Sequence, residues 1–90
     1  MAQTENERRF DAASQERRPI VEVHHAGRRI GLYRVQGIGW RAMVLGHGGI
    51  SFPVGTELVI DDFQRLAIDS RKRLPARVVG NDVRGIAVTW

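Results

Sequence analysis

The 90-residue chain contains no cysteine. That excludes a disulfide framework, a thiolate nucleophile and a thiolate metal ligand. Aromatic residues are few: two tryptophans, one tyrosine and three phenylalanines. Scattered as Phe10, Tyr33, Trp40, Phe52, Phe63 and Trp90, they make no row of stacking platforms for single-stranded nucleic acid. No apolar run is long enough to cross a bilayer, and none follows the amino terminus in the manner of a secretory leader. A soluble cytoplasmic protein without membrane insertion is expected. A chain this short builds one modest core, without room for a deep enclosed active site.

What the chain has in excess is glycine and positive charge. Ten glycines suit tight turns and barrel corners, and the formal net charge is +4. The charge is unevenly placed. Residues 1–18 balance Glu5, Glu7, Asp11 and Glu16 against Arg8, Arg9, Arg17 and Arg18, so the whole excess lies in residues 19–90. A small basic domain can hold an anion, a nucleotide or nucleic acid. An excess of this size is also ordinary for solubility.

No catalytic set stands out. His24 and His25 are adjacent, so on a strand they point to opposite faces and cannot together chelate one ion. His47 sits among glycines in Gly46-His47-Gly48-Gly49, which lacks the lysine and following helix of a phosphate loop. No metal site is expected from these histidines. Asp61-Asp62 reads as a solvated strand end, with no base or nucleophile at a useful spacing. Ser14, Ser51 and Ser70 lack the context of an activated nucleophile, so an enzyme is not expected.

Residues 1–18 are polar, with Phe10 the one large apolar side chain, and read as a flexible arm. From Pro19 the texture becomes that of short strands. Val21 and Val23 alternate with polar neighbours over 19–25. A turn at Ala26-Gly27 leads to a second strand over 28–36, where apolar parity slips between Leu32 and Tyr33 and implies either a bulge or burial on both faces. Gly37-Ile38-Gly39 breaks the run; a third strand covers 40–45 and a fourth 56–60. Residues 66–74 could hold a further strand. The last seventeen residues alternate on both sides of Asn81-Asp82-Val83-Arg84, which predicts a closing hairpin joined by a turn in that segment, where Asn81 and Asp82 tolerate left-handed backbone. The fold class is therefore all-β: a small six-stranded antiparallel barrel over residues 19–90, with the arm before it.

The order of these pieces carries a resemblance. Arg17-Arg18 precedes the first strand, Pro53-Val54-Gly55-Thr56 leads into Glu57-Leu58-Val59-Ile60, and the chain closes on Leu74-Pro-Ala-Arg-Val-Val-Gly and Gly85-Ile-Ala-Val-Thr-Trp. Over roughly residues 16–90 this resembles a bacterial PilZ domain. The resemblance implies a six-stranded barrel and a setting in signalling, motility or surface attachment. Many such domains bind cyclic di-GMP through Arg-x-x-x-Arg ahead of the barrel and Asp/Asn-x-Ser-x-x-Gly after the second strand. Here no arginine pair among Arg8, Arg9, Arg17 and Arg18 has the first spacing. The second segment falls on Gly37-Ile38-Gly39-Trp40-Arg41-Ala42, where Gly37, Gly39 and Ala42 replace all three signature residues.

Glycine offers no side-chain hydrogen bond, and each one lost costs about 1–3 kcal/mol when the ligand group is left unpaired. The resemblance thus implies a degenerate member, an adaptor or regulator with weak or no cyclic di-GMP binding. Its candidate ligand residues are Arg17, Arg18, Gly37, Gly39, Arg41 and Ala42. Its candidate partner surface is Ile38, Trp40 and Phe52, with core packing the competing use of Trp40. No cofactor beyond cyclic di-GMP is expected, and the protein partner is unspecified. Two alternatives stay open: a working cyclic di-GMP sensor using Arg17 and Arg18 with Arg41, and a basic barrel binding nucleic acid, which is the less expected of the two.

Overall fold

The computed structural model describes residues 19–48 and 50–90. The arm assigned to residues 1–18, with Arg17 and Arg18, lies outside the described residues. Six strands follow in order: β1 (Ile20–His25), β2 (Arg28–Gly39), β3 (Ala42–Leu45), β4 (Glu57–Asp61), β5 (Arg73–Asp82) and β6 (Gly85–Thr89). They close into an antiparallel barrel with the strand order β1-β2-β3-β6-β5-β4. The last seam joins β4 back to β1 through Glu22↔Asp61, Val23↔Ile60 and His24↔Val59.

The period-two pattern decides which side chains fill the barrel. Val21 and Val23 of β1, Leu58 and Ile60 of β4, Leu74, Ala76 and Val78 of β5, and Ile86 and Val88 of β6 point inward and are buried. Tyr33 and Val35 of β2 with Met43 and Leu45 of β3 complete the ring. The residues between them, such as Glu22, His24, Arg77 and Thr89, face outward.

Three bulges shift the register, and each one moves side chains between faces. The first lies between β1 and β2, where Val23 pairs with Gly31 and His24 with Arg29, leaving Ile30 as the extra residue. The expected parity slip is thus real but sits two residues earlier than Leu32-Tyr33. The second leaves Gln36 as the extra residue between Val35↔Leu45 and Gly37↔Val44. The strand therefore does not break at Gly37-Ile38-Gly39; it bulges and runs on to Gly39. The third leaves Val79 extra on β5.

One further expectation is narrowed and another corrected. Within the turn expected over residues 81–84, the chain turns at Val83-Arg84, while Asn81 and Asp82 still belong to β5 and pair with Ile86 and Gly85. Asn81 is needed in the strand to anchor the β3–β4 connection. Its amide donates to Phe52 O at 2.8 Å and to Ser51 Oγ at 2.6 Å. Residues 66–72 form no strand, and β5 begins only at Arg73. The loop there is organised by Asp62, which is buried rather than solvated. Its carboxylate accepts from Leu66 N at 2.7 Å and Ala67 N at 3.0 Å. These bonds hold Arg65 and Ala67 at positive φ.

Gly85 opens β6 at φ 145°, buried against β3. A Cβ there would collide with the Leu45 carbonyl oxygen. Gly85→Ala is expected to cost about 3 kcal/mol or more, from overpacking and backbone strain together. In thermal denaturation that lowers Tm by upwards of about 10 °C.

Candidate functional site

The bulge at Gln36 sets up the β2–β3 hairpin. Without it, Gly37 and Gly39 would continue the inward parity of Tyr33 and Val35. With it, Ile38 pairs with Met43, a core residue, so Ile38 lies on the face that continues the core. The hairpin tip passes beyond the barrel rim, so that face emerges into solvent. Ile38 is 52% exposed and Trp40, two residues further on, is 88% exposed. Core packing of Trp40 is thereby ruled out. Phe52, in contrast, is 5% exposed and packs against Tyr33 and His25. It belongs to the core and cannot be part of a partner surface.

The tip is a two-residue turn of Trp40 and Arg41, with Arg41 at φ 54°. Arg41 is tied down on both its main chain and its side chain. Its Nε donates to Trp90 O at 2.6 Å, and its own carbonyl accepts from Thr89 Oγ1 at 2.6 Å and Trp90 N at 3.3 Å. The guanidinium lies 5.7 Å from the centroid of the Trp40 ring. These contacts hold the turn in one arrangement and leave the indole as its most prominent apolar surface. Gly37, Gly39 and Ala42 are all exposed, and a Cβ at either glycine would meet nothing within 4 Å. The segment is bare backbone with room around it. Of the sequence-derived candidates, the hairpin brings together Gly37, Ile38, Gly39, Trp40, Arg41 and Ala42.

A second cluster is not apparent from the sequence. The β1–β4 seam places Glu22 directly opposite Asp61, and His24 stands on the same outward face. One ligand atom from each of Glu22, His24 and Asp61 lies within 4.8 Å of the other two. His24 Nε2 is 2.8 Å from Glu22 Oε1, and Arg29 Nε donates to the other Glu22 oxygen. Arg73 Nη1 donates to Asp61 Oδ2 at 3.1 Å. Asp61, expected as a solvated strand end, is only 9% exposed. Its Oδ1 is buried with no hydrogen-bond partner among the described residues. The signal available in the sequence was the i, i+2 spacing of Glu22 and His24. The third member needed the strand order.

An open concavity of about 930 Å³ is lined by His24 of this cluster and by Thr89 and Trp90, which bond to Arg41. His24 and Val59 line one part, Pro75 and Arg77 another, and Trp90 brings it next to the Arg41 anchor. No helix among the described residues is long and apolar enough to cross a membrane.

Two measurements follow from this geometry. Trp40→Ala is expected to change stability by no more than about 0.5 kcal/mol, as for an exposed residue, while removing most of the fluorescence that an aqueous quencher can reach. The Glu22 carboxyl is held below its usual value of 4.5, first by the Arg29 hydrogen bond and then by that of His24. A lowered folded value means that the stability tied to Glu22 ionisation is present above the unfolded value and is lost as pH falls through the folded one. In carboxyl NMR titrations Glu22 should titrate below 4.5, and Arg29→Gln should move it upward.

Comparison of the chain with protein-family models, with curated proteins and with solved structures found no match.

Proposed function

We propose that this protein is a non-enzymatic binding module, a degenerate PilZ-type adaptor that docks a protein partner through the β2–β3 hairpin in bacterial signalling, motility or surface attachment. One observation carries this reading: Trp40 is 88% exposed on a turn whose main chain and neighbouring arginine are fixed by Thr89 and Trp90. A large indole held in water on an ordered turn is the anchor type that dominates protein interfaces, because little freedom is left to lose on binding. Ile38 extends the apolar contact, and Arg41 adds a charged rim.

The family likeness rests on the order of strands and on the motifs quoted above, and the closed six-stranded barrel is consistent with it. Weak nucleotide binding is part of the proposal, since Gly37 and Gly39 present no polar side chain and the Arg41 Nε is already bonded to Trp90. A cytoplasmic setting belongs to the same proposal.

Calorimetry with cyclic di-GMP and the full-length chain separates the adaptor from the sensor. The adaptor reading expects no binding tighter than about 100 µM, equivalent to less than about 5.5 kcal/mol. Binding near about 1 µM that Arg41→Ala abolishes would make the sensor reading the correct one.

A further inference from the structure

We propose that Glu22, His24 and Asp61 form a binding site for a first-row divalent metal ion on the outer face of the β1–β4 seam. The set offers one imidazole nitrogen and two carboxylate oxygens, a mixture suited to Zn²⁺ and its neighbours rather than to Mg²⁺ or Ca²⁺. Ligands about 2.0–2.1 Å from a tetrahedral ion stand about 3.3 Å from one another. His24 Nε2 and Glu22 Oε1 are 2.8 Å apart, and all three ligand atoms fall within 4.8 Å. An ion would sit among them after rotamer adjustments of an ångström or so, with water completing the shell.

A second observation supports a ligand here. Asp61 is nine-tenths buried, Arg73 takes Oδ2, and Oδ1 is left buried without a hydrogen-bond partner among the described residues. A buried carboxylate oxygen without a partner is destabilising, and a cation bound there would satisfy it. The backbone that presents the ligands is rigid: Glu22 and Asp61 are paired residues of a closed barrel.

The neighbouring cations oppose the ion. Arg29 contacts Glu22, Arg73 contacts Asp61, and Lys72 Nζ lies 4.0 Å from Asp61 Oδ1. Their side chains are 59%, 54% and 66% exposed, whereas those of His24, Glu22 and Asp61 are 16%, 23% and 12% exposed. The ligands are held and the cations are free to swing into water, where their charge is screened. They lower the affinity without blocking the site, and that gives the proposal a distinctive signature.

Titration of the full-length chain with Zn²⁺ at neutral pH tests it by calorimetry, with histidine NMR shifts followed in parallel. One ion should bind per chain in the micromolar range and perturb the His24 ring. His24→Ala and Glu22→Gln should each weaken binding by about tenfold or more. His25→Ala and His47→Ala should leave it unchanged. Arg29→Gln should tighten it, because it removes a competitor for Glu22. Circular dichroism checks each fold; if Asp61→Asn does not fold, the His24 and Glu22 variants still decide the matter. The proposal fails if Zn²⁺ does not bind, if binding survives His24→Ala, or if it is lost with His25 or His47 instead.

Discussion

Three residue pairs hold the molecule closed. Glu22↔Asp61, Val23↔Ile60 and His24↔Val59 are the whole of the β1–β4 seam, the shortest in the barrel. Without it the sheet would have two open edges, and the inward faces of β1 and β4 would lose each other. Val23 and Ile60, the middle pair, are fully buried. Glu22, Asp61 and His24, on either side of that pair, are polar. A single local pairing therefore both completes the core on one face and assembles a charged cluster on the other, because successive residues of a strand alternate faces.

That division explains how much was legible in the sequence. Alternation of valine and isoleucine with polar residues identified β1, β4, β5 and β6 and the all-β class, since burial on one face writes itself into every second position. Bulges did not announce themselves. Gln36 looks like any other strand residue, yet its insertion reverses the parity of everything after it and carries Ile38 to the core-continuing face. Gly37-Ile38-Gly39 has the composition of a break, but its main chain pairs with Val44, Met43 and Ala42. The turn expected over residues 81–84 falls on Val83-Arg84 alone, because Asn81 is needed in the strand, where its amide can reach Phe52 and Ser51.

The candidate sites divide in the same way. Residues 37–42 could be singled out from one dimension because a hairpin is local. Whether Trp40 lay inside or outside could not, since that depends on how far the hairpin passes the barrel rim. Phe52 illustrates the converse: a residue in an irregular loop after a glycine run reads as exposed, yet the loop folds back, with Tyr33 Oη donating to Ile50 O at 2.6 Å, and seats the Phe52 ring in the core. The Glu22–His24–Asp61 cluster was the least legible feature. Asp61 is remote from the other two in the chain, and they meet only because the barrel closes first strand to fourth.

The two exposed features differ in what they demand of the fold. The hairpin tip requires little from the core, because its order comes from Thr89, Trp90 and Arg41 at the rim. The cluster on the seam is bound up with closure itself. Glu22 and Asp61 are like charges directly opposite each other, an arrangement that destabilises a strand pair unless something positive intervenes. Arg29 and Arg73 now do so from the periphery, with Lys72 Nζ 4.0 Å from Asp61 Oδ1, yet among the described residues that oxygen has no hydrogen-bond partner. A hydrophobic pair at these positions would have closed the barrel without that cost. A ligand that bridges this short seam would offset that cost and strengthen the pairing it sits upon.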